Sequence, residues 1–431
     1  MGRALMFSLA SAAFHFIVAR WAERSFPGLR VHRRAIAMGV AIFIGLALLA
    51  RAATLFRVMH VPSSLTAFFA GEMSFIAVVA LPILFAQMVI GAVAPVGAGV
   101  LRYVGRGVSV PAGAPSPSPS PSPSPSPSPS SAEASASADA PSSAGASAPA
   151  VLPRRVLIER AAGLALTATT GSIFSWGAVR GRIDFETIEV VVKLPGLPRV
   201  LEGYTIAQIS DLHVGTFVED AQLRRGFEHV IKIKPDLVVA TGDLVDHDPA
   251  YAKKMADALA SLQGVAKDGV SAILGNHDYY AGSNQVVHAL RGSGVNILVD
   301  GGRHIRPGDG GGFALLGVDD LFPYRVRGGT PRLDLAEQSV PRDRPIVLLS
   351  HQPTTVELWP GRVGLQLSGH THGGQINPGF SIANRILRYV HGLYTIGNGT
   401  QLYVNRGFGT AGVPVRVGAR PEVTKIVLVC G

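Results

Sequence analysis

The stretch that decides the fold is Leu365-Gln366-Leu367-Ser368 running into Gly369-His370-Thr371-His372-Gly373-Gly374-Gln375. A short run of strand length ends there in two histidines two positions apart, and alternate residues of an extended chain project to the same side, so both rings can reach one centre. Four other runs end in a similar way. Thr205–Ser210 leads into Asp211-Leu212-His213, Leu237–Thr241 into Gly242-Asp243, Val270–Leu274 into Gly275-Asn276-His277-Asp278, and Ile346–Ser350 into His351. Each reads as a buried strand with polar residues on the loop that follows it. Polar helical stretches and many glycines separate the runs, which makes this an α/β region with a central sheet. Open α/β sheets gather their sites at such strand ends.

The residues at these ends are oxygen and nitrogen donors without sulfur. The chain has one cysteine, Cys430, so an intramolecular disulfide is excluded, and thiolate zinc sites and cysteine nucleophiles are disfavoured. Such a donor set suits Mn, Fe or Zn. Gly242, Gly275 and Gly369 each stand just before a candidate ligand, where a small residue permits a tight turn and a close approach. Any one Asp-x-His or His after a strand is more often structural. Five in order along one chain point to a metal site.

These blocks resemble the calcineurin-like metallophosphoesterase superfamily, and the resemblance covers about residues 200–431. The form Gly369-His370-Thr371-His372-Gly373-Gly374-Gln375, with Asn405-Arg406-Gly407-Phe408-Gly409 and Arg420-Pro421-Glu422 downstream, is similar more narrowly to membrane-associated phosphodiesterases of the YkuE/YaeI type. It is similar also to the animal transmembrane protein with a metallophosphoesterase domain. The resemblance implies a four-layer α/β/β/α domain and two divalent metal ions. Asp211, His213 and His372 would bind the first ion, Asn276, His351 and His370 the second, and Asp243 both. Two such ions hold and neutralise a phosphate and activate water. His277 has no metal position in the pattern and would protonate the leaving oxygen as general acid. Asp278 or Asp246 would orient it, or cap turns. Where the serine/threonine phosphatases of the superfamily carry Arg and Glu, this chain has His247 and Asp278, which argues against a phosphoprotein substrate. Arg406 resembles a cation placed to hold a second phosphate oxygen. His229, His288, His304 and His391 lie outside the motifs and read as surface or packing residues.

Hydrophobic residues make up 47% of the 431-residue chain and charged residues 16%, low in charge for a soluble protein. The formal charge of +10 lies wholly in residues 1–182, which hold fifteen Arg and five acids, while the rest is neutral. These arginines flank four uncharged apolar stretches, Ala4–Ala19, Ala35–Ala50, Met73–Leu101 and Ala161–Val179, as positive loops flank membrane spans. No nucleic-acid partner is expected, and the partners implied are the lipid bilayer and a phosphorylated small-molecule or lipid substrate. The first two stretches, at about 24 Å as helices, are short for the hydrocarbon core, but flanking arginines can snorkel. The first lacks a small-residue cleavage site and reads as retained. Pro115–Ser130 alternates Pro with Ser and continues as Ser, Ala, Gly and Pro to Ala150, a semi-rigid spacer.

The expected organisation is about three transmembrane helices in 1–102, a Pro/Ser-rich linker in 103–155, a fourth transmembrane helix or twin-Arg-like anchor in 156–180, and the phosphoesterase domain in 181–431. Arg20, Arg24, Arg30, Arg33 and Arg34 place the first loop in the cytoplasm. Alternation then puts the catalytic domain outside the cytoplasm, on a multi-pass cell-membrane protein. The expected reaction is hydrolysis of a phosphodiester or pyrophosphate bond in a lipid or cell-envelope substrate. The alternatives are a nucleotide phosphodiesterase, a phosphomonoesterase, or a non-catalytic membrane sensor of phosphorylated ligands, which would not need His277.

Overall fold

Leu237-Val238-Val239-Ala240-Thr241 is buried at every position, and so is Phe313-Ala314-Leu315-Leu316-Gly317. Unbroken apolar runs of this length mark strands covered on both faces. In the computed structural model they are interior strands of two six-stranded sheets. The structure describes residues 31–42, 171–215, 217–377, 387–412 and 414–431, with isolated helical positions at 16, 20, 23, 45, 161, 165, 168 and 169. The chain divides into two units, Met1–Pro82 with Thr167–Gly431 and Ile83–Leu166. Only positions 161 and 165 of the second are described.

The first sheet runs β1 (Glu186–Leu194), β12 (Glu422–Cys430), β2 (Tyr204–Ile209), β3 (Leu237–Thr241), β4 (Val270–Ile273), β5 (Asn296–Ile297). The strands from β2 to β5 are parallel, whereas β12 pairs parallel with β1 and antiparallel with β2. The second sheet runs β10 (Gly392–Thr395), β11 (Gln401–Val404), β9 (Leu365–Ser368), β8 (Ile346–Leu349), β7 (Phe313–Gly317), β6 (Gly301–Ile305). Here β11, β9, β8 and β7 are parallel, and β10 and β6 close the edges antiparallel. The five strand runs read from sequence match β2, β3, β4, β8 and β9 to within one residue at either end.

One core lies between the sheets, where Ile206, Val239, Ile273 and Ile426 of the first meet Leu315, Val347, Leu349 and Leu367 of the second. The other face of the first sheet is covered by α1 (Asp220–Ile233), α2 (Ala252–Ala260) and α4 (Ser283–Gly292). In α1 the buried Leu223, Phe227 and Val230 recur at helical spacing. Lys234 ends this helix in the left-handed conformation. The short helix α6 (Leu333–Gln338) packs Leu333 and Ala336 on the outer face of the second sheet. The layering is therefore α/β/β/α around two sheets, the order that the resemblance implied. Two short helices, α3 (Asn276–Ala281) and α5 (Leu321–Arg327), follow β4 and β7 on the loop edge where the parallel strands end.

Met73–Leu101 and Pro115–Ser130 lie outside the described residues, and the other three apolar stretches lie only partly within them. Among the described residues no helix is long and apolar enough to cross a membrane.

Candidate metal centre

Every candidate ligand sits on a loop at the end of a parallel strand. Asp211 and His213 follow β2, Asp243 follows β3, Asn276 opens α3 after β4, His351 follows β8, and His370 and His372 follow β9. The first two loops are zipped together, since Asp211 N–H donates to Gly242 O (3.0 Å) and His213 N–H to Asp243 O (3.0 Å). Asp211, His213, Asp243, His370 and His372 all have φ between +46° and +73°. Non-glycine residues rarely adopt this region, at a cost of about 1 to 3 kcal/mol each, and a cluster of them marks a functional site. A Cβ on Gly275 would lie 2.3 Å from Asp243 Oδ1, and one on Gly369 would lie 2.2 Å from Asp211 Oδ2. Both glycines are thus required by the close approach of carboxylates.

The side chains form two adjacent groups. In the first, Asp211, His213 and His372 offer ligand atoms within 4.8 Å of one another. His213 Nε2 is 3.0 Å from His372 Nε2, which is 3.4 Å from Asp211 Oδ1. In the second, Asp243, His351 and His370 are gathered equally closely, with His351 Nε2 3.2 Å from His370 Nδ1. Asp243 Oδ2 lies between the groups, 3.6 Å from His213 Nε2 and 3.2 Å from His351 Nε2. Asn276 is buried, and its Oδ1 has no hydrogen-bond partner.

These residues fit a pair of divalent cations. Nitrogens and carboxylate oxygens converge, all buried or nearly so, and the amide oxygen of Asn276 is without a partner. His351 Nδ1 faces Thr241 O at 2.9 Å, so it carries a proton and Nε2 is the nitrogen turned to the ligand group, where a bound cation would take the place of its proton. Burial tends to raise the Asp243 carboxyl, but the surrounding His351, His213 and His277 hold it well below the usual carboxylate range. Burial and the neighbouring His351 push His370 down to about 3. Burial, with His213 and Arg416 nearby, depresses His372 well below the ordinary imidazole value. Against burial, Asp243 and Asp211 raise His351 well above it. Two buried carboxylates thus call for positive charge at this spot, and two imidazoles beside them are already deprotonated.

His277 borders the first group, its ring 4.6 Å from that of His213. Its Nδ1 lies 3.0 Å from Asp246 O and 3.2 Å from Asp246 Oδ1, so the orienting partner is Asp246. Burial opposes protonation of His277, yet Asp246 and the charge of Asp243 raise its pKa. Asp278 does something else. Its carboxylate accepts from the backbone N–H groups of Gly275 (2.8 Å), Leu244 (3.0 Å) and Val245 (2.9 Å), and so fixes the loops after β3 and β4.

Arg406 does not face the site with a free guanidinium. It is paired with Glu422 and Glu186. Two other cations border the metal groups, and one is Arg325 on α5, which donates to Gln352 Oε1 (2.8 Å) and whose charge helps to depress His370. Arg416 was equally hidden in the sequence. It is buried, donates to the carbonyls of Gly409, Arg406 and Ala419, and lies with Nη2 3.2 Å from His372 Nδ1. Nothing in the pattern Val415-Arg416-Val417 signals this, because its partners are backbone carbonyls of its own loop. Arg325 had a weak signal, a cation a few residues beyond the β7 strand end.

A fold of two sheets with Asp, His and Asn at its loop edge defines a metal-dependent phosphoesterase class, and the comparisons agree. The family model for calcineurin-like phosphoesterase matches residues 204–374. The chain is 32% identical to a metallophosphoesterase of Aquifex aeolicus over 250 residues, 57% of this chain and 91% of that one. It is 31% identical to the metallophosphoesterase YkuE of Bacillus subtilis over 251 residues, 56% of this chain and 85% of that one. It is also 31% identical over 271 residues to the "Transmembrane protein with metallophosphoesterase domain" of Danio rerio, 60% of this chain and 61% of that one. A relative in Bos taurus bears the same name. The chain thus spans about three-fifths of the length of the Danio rerio relative. It belongs to the calcineurin-like phosphoesterase family, whose members are dimetal enzymes.

Proposed function

We propose that this protein is a membrane-anchored phosphoesterase that hydrolyses phosphodiester or pyrophosphate bonds with water as nucleophile. The observation that carries the reading is the placement of Asp243 between two ligand groups, with His277 held at their border by Asp246. Asp211, His213 and His372 would hold one divalent ion and Asn276, His351 and His370 the other, with Asp243 shared. Such ions supply Lewis-acid polarisation of the phosphoryl group and a low-pKa water.

The chain's own residues do the rest. Asp246 accepts from His277 Nδ1–H and favours the imidazolium, whose Nε2–H would then be the proton donor to the leaving oxygen. Arg325 donates from Nη2 to Gln352 Oε1 and meets no carboxylate among the described residues, so its other N–H groups would bind a phosphoryl oxygen. The left-handed backbone at five candidate ligands fixes their directions before any substrate arrives.

The membrane part of the reading rests on the four apolar stretches, the arginine-rich flanks and the names of two relatives. Around the stretch closest to the domain, Ile173, Trp176 and Val179 are exposed. We place the catalytic domain outside the cytoplasm by the arginine count, with residues 103–155 as the spacer. A lipid or cell-envelope phosphodiester then lies within reach of the tethered site.

The test is an assay of the detergent-solubilised chain with added Mn²⁺ on a chromogenic phosphodiester and the matching monoester, beside Asp243→Asn and with metal content measured. Metal-dependent diester cleavage that is lost in the variant supports the reading. Two bound metals without turnover of either ester, and without cleavage of a pyrophosphate diester, overturn it in favour of a sensor.

A further inference from the structure

A row of aromatic rings leads away from the metal groups. It starts at His277, whose ring is 4.6 Å from that of His247 and 5.1 Å from that of Tyr280. His247 and Tyr280 lie nearly parallel, with centroids 6.0 Å apart and planes 18° from each other. Phe322 of α5 stands perpendicular to Tyr280, with centroids 4.9 Å apart and planes at 86°. Tyr280 and its neighbour Tyr279 differ in one respect. The Tyr279 hydroxyl donates to Asp319 Oδ1 at 2.6 Å, which explains its place. Tyr280 is 46% exposed, and its hydroxyl meets nothing among the described residues. Packing does not need a large ring there.

The ring is nevertheless held in place. Phe322, perpendicular to it, and His247, nearly parallel to it, both adjoin the ring, arrangements that aromatic pairs favour. One helix, α5, brings Phe322 and Arg325 to this rim at i and i+3, the spacing that puts side chains on one helix face. The rim thus offers a cation and a fixed aromatic surface next to His277.

From this we infer that His247, Tyr280 and Phe322 form a subsite that stacks a planar ring carried by the substrate, such as a nucleobase, while Arg325 holds its phosphate. The inference rests on the phosphoesterase reading and narrows its substrate class. Every base has a π-face, so stacking selects for a ring without reading its edge. A diester or pyrophosphate has two arms. A ring on one arm leaves the other free to be a lipid.

Two ligands that differ only by the ring give the test, adenosine 5′-monophosphate and ribose 5-phosphate. With the Mn²⁺-loaded full chain, the inhibition constants of both are measured against the chromogenic diester. In the wild type the nucleotide should bind about tenfold more tightly, a typical contribution of one stacked base. In Tyr280→Ala that preference should disappear while the constant for ribose 5-phosphate stays within twofold, and Tyr280→Phe should restore it. Equal constants in the wild type, or a preference unchanged in Tyr280→Ala, would sink the subsite although the enzyme reading stands. If the wild type turns over no ester, the enzyme reading fails. The subsite is then decided by calorimetric titration of the same two ligands, where the same preference and its loss in Tyr280→Ala are required.

Discussion

At the scale of single residues, two neighbouring aspartates divide the work that the sequence offered to both. Asp278 follows His277 directly in the chain while Asp246 comes 31 positions before it, and by residue type either could have oriented its ring. The structure gives the ring to Asp246 and three backbone N–H groups to Asp278. Burial and the charge of Asp243 push Asp278 up to about 7, and each buried N–H donor left unpaired by its loss costs about 1 to 3 kcal/mol. Asp278→Ala should therefore destabilise the protein by about 3 kcal/mol or more, seen as a fall in Tm of the metal-free chain. Asp246→Ala keeps the backbone carbonyl that accepts from His277 but removes the carboxylate 3.2 Å from its Nδ1. It should therefore keep most of that stability and lower kcat, with the alkaline limb moved to lower pH because the group that raises the His277 pKa is gone. The complementary variant is His277→Asn. Removing a general acid typically slows the reaction by about 10² to 10⁴, so kcat should drop by that much with both metals retained. Since an acid must be protonated to act, activity falls as pH rises through its pKa. That alkaline limb should vanish from the residual activity of His277→Asn. A variant with its limb intact would remove His277 from the proton donor's role. Candidate ligands were legible because residue type, spacing and strand end coincided. The partner of His277 was not, since a loop decides it.

Elements show a different kind of limit. The strands were readable to within a residue because buried parallel strands are short, apolar and bounded by turns. The helix turn before the domain was not readable as a structural part. Residues 171–176 are helical and pass into a π-helical turn at Gly177–Gly181. A Cβ at Gly177 would lie 2.7 Å from Arg416 O, and one at Gly181 would lie 2.2 Å from it. Arg416 N–H donates to Gly177 O at 3.2 Å. The turn is thus clamped on the segment whose Arg416 reaches His372. In sequence Gly177 sits inside the apolar stretch Ala161–Val179 and looks like part of a membrane helix, and Gly181 stands just past it after Arg180. Its packing partner is more than two hundred residues away. Outer contacts to metal ligands are worth about 10- to 100-fold in metal affinity. Gly177→Leu, which forces the turn off Arg416, should weaken one of the two metals by about that factor. Arg416→Met should do the same. Titration of the metal-free chain with Mn²⁺ would show one unchanged and one weakened binding step. Two unchanged steps in both variants would make the contact purely structural.

For the molecule as a whole, sheet order was the least legible feature. β12 lies between β1 and β2, joining residues more than two hundred positions apart in sequence, and no local pattern encodes such a pairing. Charge distribution, in contrast, is plain in the sequence. All of the net +10 belongs to residues 1–182, and the domain beyond is neutral overall. A domain neutral overall has no net attraction to anionic lipid, so in the proposed arrangement the hold on the bilayer comes from the apolar stretches. Arginines beside such stretches bias the loops that carry them to the cytoplasm. The loop with Arg20, Arg24, Arg30, Arg33 and Arg34 outweighs the next one, with Arg51 and Arg57. An even number of spans after that first loop would return the domain to the cytoplasm, and the three that follow in the reading above export it. A reporter that works only outside the cytoplasm, fused after residue 431, should therefore be active in whole cells. Its activity should survive high salt and carbonate washing of the membranes but move to the supernatant with detergent. Activity confined to a cytoplasmic reporter at the same position would reverse the orientation and with it the choice of an envelope substrate. Release by salt alone would remove the spans from the reading.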